Sequence, residues 1–118
     1  MNNKATFTIE FSLQEGRQED FKKIVNEAIA IVEASEQGAL NYQFYFNADE
    51  SKCYVMEQYS DSSAMMTHLN NVSAVLNEIL KISSITRLEI FGSLSAEACA
   101  VAESLGAVFY NHYAGFTR

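Results

Sequence analysis

Residues 39–59 read ALNYQFYFNADESKCYVMEQY, and this stretch decides the fold. Two runs rich in aromatic and β-branched residues, 39–47 and 52–59, flank the polar connector 48–51. Such a pattern predicts a β-hairpin. The hairpin is decisive because helical patterns lie on both sides of it, so that two strands follow each other directly in an otherwise alternating chain.

The segments before the hairpin predict a strand and a helix. Residues 5–13 alternate between apolar and polar side chains, which is typical of a strand with one buried face. The apolar side chains of that face are Ala5, Phe7, Ile9, Phe11 and Leu13. Residues 17–35 carry apolar side chains at three- and four-residue steps and therefore predict an amphipathic helix. Gly38 is a suitable C-terminal stop for that helix.

The segments after the hairpin predict a second helix and a fourth strand. Asp61 or Ser62 can cap the helix, and we expect Asn70-Asn71 to break or kink it before the apolar period resumes. Residues 84–92 predict a strand with Leu88 and Ile90 on one face and Ile85 and Phe91 on the other. The order β-α-β-β-α-β predicts a ferredoxin-like α+β fold, the split βαβ arrangement, in which helices cover one face of an antiparallel sheet.

Residues 93–118 extend this core. Ser95 begins a short Ala-rich helix that ends near Gly106, and residues 107–113 predict a fifth strand. The extension either adds to the sheet of its own chain or reaches across to a partner. We expect residues 1–118 to form a single domain, with the core at 5–92.

The second face of the sheet is also partly apolar. Tyr45, Tyr54, Met56 and Phe91 alternate out of the helix-covered face. That face must meet water or a partner. We therefore expect a homodimer in which two sheets pack face to face as a closed α+β barrel with a two-fold axis.

Composition excludes several classes of partner. The net charge of −7, from 15 acidic and eight basic residues, disfavours nucleic acid and anionic membrane surfaces. No run approaches the roughly 20 apolar residues of a membrane span. Cys53 and Cys99 form no CxxC motif, which fits a reducing, cytoplasmic location. His68 and His112 lack a third ligand at matching spacing, so we expect no metal site.

Three stretches together resemble the antibiotic biosynthesis monooxygenase-like family of dimeric α+β barrels, and the resemblance covers roughly residues 5–92. The family pattern has a Gly followed four residues later by Tyr, as Gly38 and Tyr42 are here. It continues with a Glu two residues before an aromatic, matched by Glu57 and Tyr59, although Trp is commoner at the second position. A His on the next helix completes it, matched by His68.

The resemblance implies a cavity between the sheet and the helices. Some members use it to oxygenate quinol-like or polyketide aromatics with O₂ and neither metal nor flavin. Such chemistry needs a base to form an electron-rich phenolate or carbanion and hydrogen bonds to hold it. The candidate catalytic residues are accordingly His68, Glu57 and Tyr42; the expected ligand is a small aromatic, and no cofactor is expected.

Each candidate also has a structural interpretation. His68 could fill the interface between helix and sheet, Glu57 could form an ion pair with Arg87, and Tyr42 could be a core aromatic. Three functions therefore stay open: a cofactor-independent monooxygenase, a non-catalytic dimeric ligand-binding or structural module, and another enzyme on the same barrel, such as an isomerase or decarboxylase.

Overall fold

The computed structural model describes residues 4–118, which form five strands and three helices. In chain order these are β1 (Ala5–Leu13), α1 (Gln18–Ser35), β2 (Ala39–Phe46), β3 (Lys52–Tyr59), α2 (Ser62–Ile79), β4 (Ser83–Phe91), α3 (Ala96–Ser104) and β5 (Val108–Tyr110). This order confirms the predicted β-α-β-β-α-β core and its additional helix and strand.

All five strands belong to one sheet, in the order β2-β3-β1-β4-β5. β1 lies at the centre and pairs antiparallel with β3 and β4, while β2 pairs antiparallel with β3 at one edge. β5 pairs parallel with β4 at the other edge. The fold is therefore ferredoxin-like, with one strand added to the four-stranded antiparallel sheet.

The core lies between one face of the sheet and the helices. Phe7 of β1 packs with Met65 of α2, and Phe11 of the same strand packs with Phe21 of α1. These side chains are almost completely buried, and burying each aromatic contributes about 1.5–3 kcal/mol. The strict alternation of residues 5–13 thus places one row of β1 side chains under both helices.

Helix α2 is continuous through Asn70 and Asn71, so the predicted break there is wrong. Both asparagines are exposed, and an Asn on the solvent side of a helix costs only about 0.7 kcal/mol relative to Ala. The side chain of Asp61 caps the helix by accepting a hydrogen bond from the backbone N–H of Ala64 at 2.8 Å. An unbroken α2 holds His68 and Asn71 one turn apart at the same site.

A β-bulge in the β1–β4 pair changes which residues of β4 face the helices. The register shifts between Glu10, which opposes Arg87, and Phe11, which opposes Ile85. Ile85 consequently packs into the apolar core together with Leu88, and its predicted position on the opposite face is wrong. Strict alternation predicts the wrong face here because a bulge inserts one residue into the period of two.

The C-terminal extension adds to the sheet of its own chain. β5 pairs with Glu89–Phe91 of β4, and the ring of Tyr110 stacks on Phe91 with 5.4 Å between centroids. The strand covers three residues and is shorter than the predicted 107–113. Tyr113 and Phe116 follow it with side chains that are 98% and 80% exposed.

The sheet face away from the helices carries large apolar side chains in contact with solvent. Tyr45, Met56, Phe91 and Tyr110 are 39–53% exposed there. The prediction that apolar and aromatic side chains occupy both faces is thus confirmed.

Candidate functional site

The centre of the candidate site is a buried imidazole held between two carboxylates. His68 Nδ1 lies 3.0 Å from Glu36 Oε1, and His68 Nε2 lies 3.1 Å from Glu57 Oε1. The three side chains are only 2–4% exposed. Ionisable groups so deep in a small protein are rare unless they are paired, and they mark this region as the first candidate for chemistry.

Three different elements bring these groups together. Glu36 follows the last residue of α1 and forms its C-cap, while Glu57 lies on the helix-covered face of β3. His68 lies on the buried face of α2, one turn after Met65. The cluster therefore exists only when both helices are docked on the sheet.

Gly38 allows α2 to approach the start of β2 closely. A Cβ built at this position would lie 2.6 Å from the Cβ of Ala64 and 3.0 Å from the hydroxyl of Ser60. Real Cβ atoms do not come so near, so only glycine fits without displacement. The close approach fixes the first turns of α2, and with them the position of His68.

Glu57 has one occupied oxygen and one oxygen that is free of protein partners. The Tyr59 hydroxyl donates to Oε1 at 2.6 Å, and His68 Nε2 contacts the same oxygen. Within residues 4–118, Oε2 accepts no hydrogen bond. The predicted ion pair with Arg87 is wrong, because Arg87 bonds to Glu89 at 3.1 Å instead. Glu57 thus keeps a carboxylate oxygen available to another molecule.

The geometry favours the protonated form of His68. A carboxylate only accepts hydrogen bonds, so both ring nitrogens must donate to satisfy Glu36 and Glu57. Burial by itself lowers the pKa of His68, but the hydrogen bond with Glu57 and the charges of Glu57 and Glu36 outweigh it and raise that pKa above its ordinary value. The arrangement thus favours an imidazolium held in one orientation, and the candidate base is a carboxylate.

Glu36 has its own second contact. The side-chain amide of Asn71 donates to Glu36 Oε2 at 3.3 Å, while His68 occupies Oε1. Both oxygens of Glu36 are thus engaged, in contrast to Glu57. This difference indicates that Glu36 orients the imidazole, while Glu57 is the carboxylate able to react.

Tyr42 completes the site from the edge strand. It lies directly opposite Glu57 in the β2–β3 ladder, and its ring meets the His68 ring edge-on with centroids 5.1 Å apart. Burial and the charges of Glu57 and Glu36 raise the pKa of Tyr42 far above its ordinary value. The phenol is therefore a neutral donor, and no protein group within residues 4–118 accepts a hydrogen bond from it.

A narrow apolar cavity borders these residues. It has a volume of about 50 Å³, and Glu57, His68 and Tyr42 contribute to its wall. A second cavity of about 40 Å³ lies beside it, under α3. Phe7, Ile9, Leu69 and Leu76 line both cavities and separate them.

A wider groove at the surface borders the same residues. It has a volume of about 430 Å³ and runs between the C-terminal half of α1 and β2. Glu36 and Tyr42 contribute to its wall as well as to the buried cluster. The interior is thus small, and the accessible space lies outside Tyr42.

Sequence reasoning named His68, Glu57 and Tyr42, and the structure brings these three together. It missed Glu36 and Asn71. Glu36 stands at the end of an amphipathic helix among polar residues, where a carboxylate is expected to be solvated, and no spacing in the sequence relates it to His68. Only the docking of α1 beside α2 reveals the contact.

The residues that meet here are not arranged as metal ligands. Both nitrogens of His68 face carboxylates, which leaves neither lone pair for a metal. Across residues 4–118 no group of three or more His, Cys, Asp or Glu side chains has a suitable arrangement. The cluster as it stands is suited to proton transfer.

Comparison with protein families gives independent information about this site. A model described as antibiotic biosynthesis monooxygenase matches residues 5–74. The chain belongs to this family. The matched segment contains Glu36, Tyr42, Glu57 and His68, so the whole cluster lies in the part of the chain that defines membership of the antibiotic biosynthesis monooxygenases. No curated protein gives a significant match to the sequence.

Solved structures extend the likeness to the rest of the chain. MupZ from Pseudomonas fluorescens is 26% identical with a TM-score of 0.86, and the match covers 100% of this chain and 91% of that one. SnoaB from Streptomyces nogalater, described as a cofactor-independent oxygenase, is 14% identical with a TM-score of 0.67 over 80% of this chain and 96% of that one. A candidate antibiotic biosynthesis monooxygenase from Caulobacter crescentus CB15 is 19% identical with a TM-score of 0.70 over 80% and 92%.

The family match supports a monooxygenase-type function, and the neighbours share the fold. The likeness to MupZ spans the full length and so includes α3 and β5, which lie outside the family match. None of the helices within residues 4–118 is long and apolar enough to cross a lipid bilayer.

Proposed function

We propose that the protein is a cofactor-independent monooxygenase acting on a small quinol-like aromatic. The observation that carries this proposal is the free Oε2 of Glu57, which belongs to a carboxylate lining an apolar cavity and fixed by His68. A positioned carboxylate can remove a hydroxyl proton, and a neutral phenol at Tyr42 can donate to the oxygen that becomes negative.

The only chemical step that the protein must perform is the removal of this proton from the substrate. Glu57 takes one hydroxyl proton of a quinol, and the resulting phenolate supplies electrons to O₂. One oxygen atom forms a bond to a ring carbon, and the other leaves as water after the O–O bond breaks. A quinol and O₂ thereby give a hydroxylated quinone and H₂O, with electrons balanced between ring oxidation and O₂ reduction.

The interior must open to admit an aromatic ring. An apolar cavity that holds benzene has a volume of about 150 Å³, whereas the two cavities here are about 50 and 40 Å³. Leu69 and Leu76 stand between them. We expect substrate binding to require a change of their rotamers that joins and widens the two spaces beside Glu57.

The test is oxygen consumption with a panel of hydroquinones and naphthols. Glu57→Gln should lower kcat by about 10²–10⁴-fold, and Tyr42→Phe should lower it by about 10²–10³-fold because one hydrogen bond to the oxyanion is lost. His112→Gln is the matched control, since His112 is exposed and lies in the C-terminal segment. Full oxygen consumption by Glu57→Gln would remove the proposal.

A non-catalytic ligand-binding or structural module is the second candidate, and the narrow interior favours it. Phe7, Phe11, Leu69 and Leu76 line an interior cavity of only about 50 Å³. This candidate predicts ligand binding without turnover of any quinol. Product formation without oxygen consumption would instead indicate an isomerase or a decarboxylase that uses the same base.

We further propose that the protein is a cytoplasmic, single-domain homodimer. The support is the exposed apolar face formed by Tyr45, Met56, Phe91 and Tyr110, which a second copy of the sheet would cover. Met56→Arg should produce a monomer in light scattering at micromolar concentration. Asn77→Arg adds the same charge on the exposed side of α2 and should leave the dimer intact.

A further inference from the structure

The groove between α1 and β2 has the size of a ligand site and shares wall residues with the buried cluster. Its volume of about 430 Å³ falls within the range of about 300–1,000 Å³ typical of small-molecule pockets. Tyr42 lines both the groove and the interior cavity, and Glu36 joins the groove to His68. Whatever reaches Glu57 from this side must pass Tyr42.

The interior cannot hold a whole substrate, so the rest of the molecule needs a place. Even with both cavities joined, the space beside Glu57 is smaller than the cavity of about 150 Å³ that holds a benzene ring, so an opened interior has room for the reacting ring alone. A substituent on that ring would emerge at Tyr42. The groove is the space that receives it there.

The side chains of the groove define what such a substituent can be. The amide group of Gln37 offers a donor and an acceptor, and Glu33 adds a carboxylate at the rim. Asn41 and Gln43 border the groove from β2, but their side chains belong to the other face of the sheet, with Gln58 and Met56. Ile29, Val32 and Leu40 supply apolar contact. None of the lining residues is Lys or Arg, and two are Glu. An anionic group would therefore be repelled, whereas an uncharged chain with hydroxyl, ether or amide groups would find partners.

We propose that this groove is a second segment of the substrate site and binds an elongated, uncharged, hydrogen-bonding chain attached to the reacting ring. The proposal rests on the proposed function for the nature of the reacting end. Tyr42 then separates the part of the substrate that reacts from the part that gives affinity and selectivity.

Three probes test the proposal by calorimetric binding. They are hydroquinone, hydroquinone bearing a tetraethylene glycol tail, and the same tailed compound ending in a carboxylate. We expect the neutral tail to tighten binding at least tenfold over hydroquinone, and the carboxylate to abolish that gain. In ¹⁵N-edited NMR spectra the neutral tail should shift backbone amides of residues 29–43.

Two variants locate the effect. Gln37→Arg places a cation in the groove, so it should remove the gain from the neutral tail and restore binding of the carboxylate tail. Asn77→Arg adds the same charge outside the groove and should behave like the unaltered protein.

The outcomes separate this proposal from the proposed function. Equal affinity for hydroquinone with and without the tail overturns the proposal that the groove binds the chain, even if both compounds are oxidised. Tighter binding of the tailed compound without oxygen consumption supports the groove proposal and rules out the proposed monooxygenase function. Absence of binding by all three probes overturns both.

Discussion

Removal of the positive charge at the centre of the buried cluster should destabilise the protein strongly. His68→Leu leaves Glu36 and Glu57, whose side chains are 2% and 3% exposed, without their counterion. Breaking a buried ion pair by removing one partner costs about 3–5 kcal/mol, and here two carboxylates lose the same partner. At about 0.05–0.15 kcal/mol per residue, the 118 residues give a total stability of about 6–18 kcal/mol. The loss is therefore a large fraction of the whole.

If the cost of His68→Leu comes from unpaired charge, then adding Glu57→Gln should recover part of it, because the double variant buries one carboxylate fewer. The Gln oxygen can still accept the hydrogen bond from Tyr59. Glu36→Gln alone should cost only about 1 kcal/mol, the typical worth of one hydrogen bond, since Glu57 continues to pair with His68.

Urea unfolding followed by far-UV circular dichroism at pH 7.5 gives the free energy of unfolding of the unaltered protein and of the three variants. We expect His68→Leu to lose about 3–5 kcal/mol and its thermal midpoint to fall by roughly 10–20 °C. A loss below about 1 kcal/mol, or a double variant no more stable than His68→Leu, would refute the account of the cluster as a charge-balanced unit.

Three further predictions concern single positions. Gly38→Ala should lower the free energy of unfolding by about 1–3 kcal/mol, because the new Cβ would meet Ala64 at 2.6 Å; unchanged stability in urea would contradict the close packing. The raised pKa of His68 stabilises the fold fully below its unfolded value of about 6.5, and this stabilisation should be lost as pH rises through the folded pKa. Urea titrations between pH 6 and 9 should show that decline relative to His68→Leu, and a constant difference would contradict it. Burial raises the pKa of Cys53 to about 11, so iodoacetamide at pH 8 should label Cys99 first, as read by peptide mass spectrometry.

The sequence predicts the architecture correctly wherever a single local pattern determines a strand or a helix. The alternation in residues 5–13 and the hairpin at 39–59 each depend on side-chain period alone, and both elements form as predicted. Ile85 and Asn70 were misjudged for a related reason. A bulge changes the strand period without a characteristic residue type that would reveal it in the sequence. An Asn that faces solvent does not break a helix.

Only part of the candidate site could be predicted from the sequence. Tyr42, Glu57 and His68 were found because all three occupy positions in a recognisable family pattern. Glu36 could not be found, since its contact with His68 joins residues 32 positions apart through the packing of two helices. The expectation that Arg87 pairs with Glu57 was wrong for the same reason. Opposite charges in the sequence do not show which cation lies near a carboxylate in the folded sheet.

The position of Tyr42 in the sheet has a consequence for how the site is reached. β2 is an edge strand, so a single ladder, that with β3, restrains the backbone that carries the phenol. Glu57 sits one strand further in, with neighbours on both sides. Edge strands open at lower free energy than central ones, and amide hydrogens of β2 should accordingly exchange with deuterium before those of β3. The wall of the site that must yield is the one with least backbone support, while the carboxylate behind it stays in place.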